Sequence, residues 1–401
     1  MSNILSNRIN SLAESETLAM SQRSRELQAQ GVDVINLSIG EPDFDTPEYI
    51  KSAAKDAIDN NFTHYTPVPG YMDLRQAVVT KLKRDNNLDY KASNIVVSTG
   101  AKQSLANAIL CLINPGDEVI IPAPYWVSYK ELVKLAEGVV VNISADINSN
   151  YKITPQQLEA AITDKTKMFI FSSPCNPSGS VYSRTELEAL CKVFEKHENI
   201  FIISDEIYEY INYVGKHESL ASFNTIKDRV ILINGVSKGY AMTGWRIGYM
   251  AATNEIAAAC TKLQGQITSG TSSISQKAAI SALGIGDAPG SDVAKMRDAF
   301  RKRRDMFVKL LNEIEGIKTP MPDGAFYVFS DISGILGKKY NGKTISNDGE
   351  FCDFLLDVAH IASVPGAAFG APNCFRMSYA TTEENLIEAV NRLKKALDML
   401  Q

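Results

Sequence analysis

The middle of the chain alternates short apolar runs with longer amphipathic patterns, and this alternation limits the fold more than any other feature. The runs are mostly β-branched or aromatic and are bounded by Gly, Pro, Asn or Asp, as buried strands are. They cover residues 94–98, 118–123, 139–143, 168–173, 200–205, 230–234 and 247–252. Helical patterns separate several of them, for example at 102–113 and 184–197. The sequence predicts an α/β fold with a mostly parallel, seven-stranded sheet covered by helices.

A Gly-rich stretch, ALGIGDAPGSD at 282–292, interrupts this pattern. It is followed by one long amphipathic helix, predicted over 293–316 and ending at Gly316. A length of 401 residues favours two domains. We therefore expect an N-terminal segment, 1–45, that packs with a smaller α+β domain over 289–401, and a large domain over 46–288.

Composition excludes several classes of partner. The net charge of −5 gives no general attraction to nucleic acid or anionic lipid. The six cysteines include no C-x-x-C pair, which favours reduced thiols. The start, MSNILSNRINSL, lacks the apolar core of a signal peptide, and no apolar run approaches the roughly 18 residues of a membrane span. These features predict a cytoplasmic protein with no nucleic-acid or membrane partner.

Five of the predicted strands are followed by polar or aromatic residues. The stretches are TGAKQS, PYWVSY, PCNPSG, EIY and GVSKG. Because ligands of open α/β sheets collect at the carboxyl ends of the strands, these stretches predict a binding site at one sheet edge.

Each of these residues also has a purely structural interpretation. Gly100-Ala101-Lys102 opens a helix, which suits an anion but also an ordinary tight turn. Asp205 ends an apolar strand, where it either caps the next element or pairs with a buried cation. Taken one at a time, Asn176, Tyr208 and Trp126 are explained by turn formation or core packing as well as by a binding role. The same holds for Arg246 and Arg376, which an edge position explains as well as the binding of an anion.

The stretch Gly235-Val236-Ser237-Lys238-Gly239 offers two nucleophiles side by side. Ser237 matches the G-x-S-x-G elbow of hydrolases, whereas Lys238 suits Schiff-base chemistry. A hydrolase of that kind needs an acid and then a histidine after the serine, and only His360 follows. Neither H-E-x-x-H nor another zinc spacing occurs, so no metal site is predicted.

The motifs together resemble those of the fold-type I, pyridoxal 5′-phosphate-dependent aminotransferases of class I/II. SDEIY and NGVSKGYAMTGWRIGY carry the resemblance, with LSIGEPDFDTP, HYTPVPGYMDLR, STGAKQSL, PAPYWVSY, SPCNPSG and FRMSYA in the family's order. The similarity spans nearly the whole chain. The motifs are most similar to the bacterial aspartate aminotransferase subgroup that carries PYW and GAK.

The resemblance implies a role for each residue at the cofactor ring. Lys238 would form a Schiff base with the cofactor aldehyde and then move the substrate Cα proton. Asp205 would keep the pyridine nitrogen protonated, because a nearby opposite charge favours the charged form. Asn176 and Tyr208 would hydrogen-bond the phenolic oxygen of the ring, and Trp126 would stack on its face.

The resemblance also implies a phosphate site and a partner. The phosphate ligands would be the backbone of Gly100, Ala101 and Lys102 with the side chains of Ser237 and Arg246. Tyr65 would reach the phosphate from the neighbouring subunit, which makes a homodimer with shared active sites part of the expectation.

On the substrate side, Arg376 would clamp the α-carboxylate beside the Gly40 backbone, next to Asn176 and Trp126. Lys102 fits the position associated with the distal carboxylate of aspartate or glutamate; the alternative is a solvated first-turn lysine. Ser15 and Thr17 are placed at the substrate mouth.

The sequence thus favours an aspartate:2-oxoglutarate aminotransferase with a ping-pong mechanism, acting on small amino acids and 2-oxo acids. Aminotransferases for aromatic or neutral amino acids, or a lyase on the same fold, are the alternatives. Weaker alternatives from other functional classes are a serine hydrolase using Ser237 and a regulator that keeps the aminotransferase fold as a ligand-binding module. Some relatives also act on prephenate, often with a basic residue near Ser15; here Ala13-Glu14-Ser15-Glu16 is acidic, which argues against it.

Overall fold

The computed structural model describes residues 4–401, so the first three residues of the predicted N-terminal segment lie outside it. The helices are α1 Asn7–Ser11, α2 Glu16–Ala29, α3 Glu48–Asp59, α4 Met72–Asn86, α5 Ala101–Leu112, α6 Ser128–Leu135, α7 Pro155–Ala161, α8 Arg184–Phe194, α9 Asn254–Ile267, α10 Ser273–Ile285, α11 Asp292–Leu311, α12 Asp348–Phe354 and α13 Glu383–Leu397. The strands are β1 Ile35–Asn36, β2 Ile95–Thr99, β3 Glu118–Ala123, β4 Val139–Ser144, β5 Thr166–Ser172, β6 Phe201–Asp205, β7 Val230–Gly235, β8 Ile247–Ala251, β9 Tyr327–Asp331, β10 Lys339–Tyr340, β11 Lys343–Thr344, β12 Ile361–Ala362, β13 Val364–Pro365 and β14 Cys374–Ser378.

A seven-stranded sheet in the order β2-β8-β7-β6-β5-β3-β4 forms the centre of the chain. Only β8 runs antiparallel to its neighbours, β2 and β7. The remaining pairs are parallel. The predicted mostly parallel, seven-stranded α/β sheet is confirmed.

Both faces of this sheet are buried, which explains the continuous apolar runs of its strands. Along β7, Ile231 and Ile233 pack into one core cluster and Leu232 into the other. Residues of α3, α4, α8 and α10 contribute to the Leu232 side, and residues of α5, α6 and α9 to the opposite side. Side chains that alternate between two helical layers hold each strand in register, so the carboxyl ends are fixed relative to one another.

A third core cluster surrounds the antiparallel sheet β13-β14-β9. Phe326 and Phe375 belong to it, and so do Val34 and Leu37 from the N-terminal segment. β1 pairs in parallel with β12, which ties that segment to the C-terminal part. The N-terminal segment therefore packs with the C-terminal part of the chain. The domain boundaries 1–45, 46–288 and 289–401 stay predictions.

The long helix ends earlier than predicted. α11 stops at Leu311 rather than at Gly316, so that prediction is wrong. The side-chain amide of Asn312 donates to the Thr319 carbonyl and its oxygen accepts from the Thr319 amide, both at 2.8 Å. These bonds to a residue outside the helix replace further helical turns. Within residues 4–401, no helix is long and apolar enough to cross a membrane.

A buried charged network lies behind the end of β6. Glu206 accepts from Ser204 and Ser219 and lies 2.9 Å from His217 Nε2. Glu209, close by, contacts the Lys81 ammonium, which is itself fully buried. The spacing of three side chains would allow a metal ion to bind: Glu206, Glu209 and His217. The two carboxylates, however, already have Lys81 and His217 as their cationic partners.

We expect the Glu206–His217 pair to stabilise the fold in a pH-dependent way. Burial by itself would lower the pKa of His217, but the Glu206 carboxylate outweighs it and raises that pKa. The contribution of the pair is therefore complete below the unfolded value of about 6.5 and disappears as pH rises through the folded-state pKa. His217→Gln should lower the free energy of unfolding by about 3 kcal/mol at pH 6 and by less at pH 9, measured by denaturant titration.

His197→Gln is the matched control. Its ring lies 2.9 Å from Glu159 but is partly exposed, so the substitution should change stability little at either pH. Equal effects of the two substitutions, or a His217→Gln effect that grows with pH, would contradict the assignment.

Candidate active site

A cavity of about 270 Å³ opens at the carboxyl ends of the central strands. The loops that follow β2, β3, β5, β6 and β7 all reach it, and the N-terminal segment and β14 close it from the other side. Of the residues singled out in the sequence, its lining includes Gly40, Ala101, Lys102, Trp126, Asn176, Asp205, Tyr208, Ser237, Lys238, Arg246 and Arg376. Ser15 and Thr17 line it as well.

Two predicted site residues do not line the cavity. Gly100 lies directly behind Ala101, in contact with Arg246. Tyr65 is fully exposed on the surface of this chain. Its predicted role depends on a second chain, so its exposure here is what that role requires.

One end of the cavity is suited to an anion. Gly100 precedes α5 with φ of +80°, and no side chain caps the start of that helix. A Cβ at this position would collide with the Arg246 guanidinium, so a glycine is needed for the two to meet. Ser237, which is buried, lies on the same wall. The backbone N–H groups of a helix start, a hydroxyl and a guanidinium are together a phosphate-binding set.

Asp205 is buried at the end of β6. Its Oδ1 accepts from the Ile207 amide at 3.2 Å and its Oδ2 accepts from the Tyr129 hydroxyl at 2.7 Å. Burial raises the pKa of Asp205 to about 6, and the Tyr129 hydrogen bond works in the opposite direction. Across residues 4–401 no cation forms an ion pair with this carboxylate, so a positively charged ligand group would be favoured beside it.

Lys238 follows β7 and donates a hydrogen bond from Nζ to the Gly40 carbonyl at 2.5 Å. Burial lowers the pKa of Lys238 to about 8, with Arg376 and Arg246 adding to that shift. A substantial fraction of neutral amine near neutral pH makes Lys238 a usable nucleophile and base. Gly40 itself must be a glycine, because a Cβ there would collide with the Tyr327 hydroxyl.

Arg376, on β14, is a buried guanidinium. Nη1 donates to Asn176 Oδ1 at 3.0 Å and Nη2 donates to the Ser38 carbonyl at 2.5 Å, while Nε has no hydrogen-bond partner. Burial lowers the pKa of Arg376. No carboxylate within the described part of the chain forms a salt bridge with it, so an anionic ligand is the natural counter-charge.

The remaining walls are aromatic. The Tyr208 and Tyr327 hydroxyls are 2.7 Å apart, which joins the loop after β6 to β9. Trp126 lies under the Lys102 ammonium, 4.8 Å from the ring centroid. Burial, followed by the charge of Arg246, lowers the pKa of Lys102. The Lys102 amine thus faces both solvent and the cavity, since it lies over the Trp126 ring on the cavity wall.

Three buried polar residues of the cavity escaped the sequence interpretation. Tyr129 belongs to the quoted stretch PYWVSY, and its position one helical turn after Trp126 was the only signal available. Tyr327 comes from β9, far along the chain from every motif used above. Ser172, whose Oγ is buried without a hydrogen-bond partner, ends β5 opposite Asp205.

The charges of the cavity match the groups of pyridoxal phosphate and an amino acid. Asp205, an acid with no cationic partner in the described chain, suits the pyridinium nitrogen of the cofactor. Lys238, an amine of lowered pKa, suits its aldehyde. The first backbone N–H groups of α5, which no side chain caps, suit the phosphate of the cofactor. The guanidinium of Arg376 suits a carboxylate of the amino acid. The residues present thus fit the cofactor that the resemblance implies.

Comparison with known proteins gives one consistent result. The family model for aminotransferase class I and II matches residues 32–393. A bifunctional aspartate aminotransferase and glutamate/aspartate-prephenate aminotransferase from Petunia hybrida is 48% identical over 98% of this chain and 82% of its own length. An aspartate/prephenate aminotransferase from Cereibacter sphaeroides is 47% identical, covering 97% of this chain and 98% of its own.

Solved structures agree with these relatives. The aspartate aminotransferase of Rhizobium meliloti superposes with a TM-score of 0.95 at 44% identity, covering 99% of both chains. The Thermus thermophilus aspartate aminotransferase with maleate gives a TM-score of 0.92 at 38% identity, covering 98% of this chain and 99% of the other.

The burial of Asp205 predicts a stability cost that depends on pH. Its pKa is raised from its usual range to about 6, so the ionised acid destabilises the fold increasingly between about pH 4 and pH 6 and fully above that. In protein freed of bound ligands, Asp205→Asn should raise the free energy of unfolding by about 3 kcal/mol at pH 8, with no gain near pH 4. Asp59→Asn, on the exposed end of α3, is the control and should be neutral at both pH values. A loss of stability at pH 8 in Asp205→Asn would contradict the expectation.

Proposed function

The chain belongs to the class I and II aminotransferases, and on that premise we propose that it is a pyridoxal phosphate-dependent aspartate aminotransferase. It transfers the amino group of L-aspartate to 2-oxoglutarate by a ping-pong mechanism, giving oxaloacetate and L-glutamate. The observation that carries this proposal is the juxtaposition of Lys238, Asp205 and Arg376. Asp205 and Arg376 are buried and Lys238 is partly buried, and the three charged side chains face one cavity without an ion-pair partner among residues 4–401.

When bound, pyridoxal phosphate supplies an electron sink for the carbanion formed at the substrate Cα. Lys238 would hold the cofactor through its aldehyde, and the free Lys238 amine would take the proton from the substrate Cα. Its lowered pKa near 8 supports that role, because a base works best when its pKa lies near the working pH. Asp205 holds the proton on the ring nitrogen, and Asn176 and Tyr208 orient the phenolic side of the ring.

The start of α5, with Ser237 and Arg246, binds the cofactor phosphate in this proposal. Tyr65 completes the phosphate site of a second copy of the chain, which makes the working unit a homodimer. Its complete exposure on the single chain supports this assignment. The six cysteines are all free thiols, which suits a cytoplasmic enzyme.

Substrate recognition needs one cation for each carboxylate of a dicarboxylic amino acid. Arg376 binds the α-carboxylate as a bidentate donor. Lys102 binds the distal carboxylate from the start of α5, beside Trp126. The Thermus thermophilus relative holds maleate, a four-carbon dicarboxylate, which supports the same class of substrate here.

Prephenate is a second candidate substrate, since relatives at 46–48% identity carry it in their names. In this chain Glu14 and Glu16 flank Ser15, which lines the cavity mouth. Their negative charge opposes this bulkier dicarboxylate, so we propose 2-oxoglutarate rather than prephenate as the main amino acceptor. An acceptor panel with L-aspartate as the donor, comparing the amination of 2-oxoglutarate with that of prephenate, tests this ranking.

The first test addresses the chemistry itself. Purified protein with pyridoxal phosphate should convert L-aspartate and 2-oxoglutarate to oxaloacetate and L-glutamate, and Lys238→Ala should lower kcat at least about 100-fold. Borohydride should fix the cofactor covalently to the peptide containing Lys238 in the wild type, as read by mass spectrometry, and leave it unfixed in the variant.

Lys216→Ala, at an exposed lysine, is the control and should behave as wild type in both measurements. Cofactor fixed to Lys238→Ala protein, or a wild type with no transaminase activity on any amino donor, would refute the proposal.

The second test concerns specificity. If Lys102 binds the distal carboxylate, Lys102→Ala should reduce kcat/KM for aspartate about 10- to 100-fold and that for alanine less than about threefold. Lys130→Ala removes a nearby lysine outside the cavity lining and should leave both values unchanged. Equal losses for aspartate and alanine would show that Lys102 serves the cofactor or the fold instead.

A further inference from the structure

Tyr129 is a buried polar residue of the cavity to which no role has been given so far. It lies in the first turn of α6 and is 1% exposed. Its hydroxyl donates to Asp205 Oδ2 at 2.7 Å, a short bond between two fully buried groups. Hydrogen bonds to ionised acceptors in a dry environment are among the stronger polar interactions in proteins.

This bond completes the environment of the Asp205 carboxylate. The Ile207 amide serves Oδ1 and the Tyr129 hydroxyl serves Oδ2, so each oxygen has one protein donor and a fixed direction. Burial, and then the charge of Asp205, raise the pKa of Tyr129 well above its usual value. Tyr129 therefore keeps its proton, and can donate it in a hydrogen bond, near neutral pH.

Tyr129 also contacts the aromatic wall of the same cavity. Its ring packs edge-on against Trp126, with the centroids 5.6 Å apart and an angle of 88° between the planes. A single side chain thus links the carboxylate at one side of the cavity to the indole that lies along another. Moving Tyr129 would disturb both.

We propose that Tyr129 is a positioning residue that acts through Asp205, holding its carboxylate ionised and directed at the ring nitrogen of the cofactor. The inference rests on the proposed function, because it needs pyridoxal phosphate in the cavity. Without the Tyr129 hydroxyl, Asp205 competes more strongly for the shared proton, and the ring nitrogen keeps less positive charge.

The test uses full-length protein loaded with pyridoxal phosphate and the substitution Tyr129→Phe, which removes only the hydroxyl. Tyr182→Phe is the matched control. Tyr182 is equally buried, and its hydroxyl accepts from the Ile153 amide at 2.9 Å without touching Asp205. It lines a small cavity of about 20 Å³ that Tyr129 also borders, so both substitutions remove a buried hydrogen bond from one region.

Two readouts separate positioning from simple destabilisation. Tyr129→Phe should lower kcat with aspartate about tenfold while KM changes less than about twofold. The pH midpoint of the absorbance change of the bound cofactor should rise by about 0.5 unit or more, because a less positive ring makes the nitrogen of Lys238 easier to protonate. Tyr182→Phe should leave both readouts as in the wild type.

A double-substitution cycle tests whether Tyr129 acts through Asp205. In an Asp205→Asn background, Tyr129→Phe should cause no further shift of the absorbance midpoint. The same shift in both backgrounds, or a Tyr129→Phe protein indistinguishable from Tyr182→Phe, would overturn the inference. If the wild type binds cofactor but does not transaminate aspartate, the proposed function fails, while the spectroscopic comparison still decides the role of Tyr129.

Discussion

Burial of unpaired charge is the constraint on which the rest of this structure depends. Asp205 and Arg376 are buried and Lys238 is partly buried, yet within residues 4–401 none of them forms an ion pair. Such burial costs free energy because an opposite charge as well as hydrogen bonds is needed to replace the lost hydration, and each of the three is hydrogen-bonded only to neutral groups. Two helical layers around the sheet and the core cluster beside them have to stabilise the fold against that cost.

The sheet explains why these charges meet. Asp205 ends β6, where it pairs with Ile233 of the parallel strand β7, and Lys238 lies in the loop that follows β7. The strand ladder therefore fixes Asp205 beside the start of the loop that carries Lys238. Arg376 and Tyr327 come from the antiparallel sheet of the other core, and Gly40 comes from the N-terminal segment. Hydrogen bonds from Arg376 to Asn176 and from Lys238 to Gly40 join the two parts across the cavity.

Local patterns in the sequence predicted the sheet and the strand-end residues of the cavity, while the family resemblance supplied others, such as Gly40, and the roles of all of them. Apolar runs of strand length, each followed by polar residues, identify strand ends without knowledge of tertiary contacts, and Asp205, Asn176 and Lys238 were found in this way. The place of Tyr327 in the cavity could not be predicted in this way, because β9 carries no motif. Only the packing of the antiparallel sheet against the central sheet brings Tyr327 next to Tyr208. The end of α11 was misplaced for a similar reason: the Asn312–Thr319 bonds are tertiary, and no helix propensity encodes them. The role of Tyr65 depends on a second chain and stays a prediction.

The hydrogen-bonded arrangement of the cavity has a consequence for how such a protein can change over evolution. The residues proposed for the chemical steps are interlocked: Tyr129 with Asp205, Tyr208 with Tyr327, Asn176 with Arg376. The residues proposed for side-chain recognition differ, since Lys102 is exposed and Ser15 lies in the N-terminal segment, outside those bonds. Substitutions in the second group leave the first intact. An enzyme of this kind can therefore change its substrate through substitutions at positions such as Lys102 and Ser15, while the hydrogen-bonded residues that serve the reaction itself are kept.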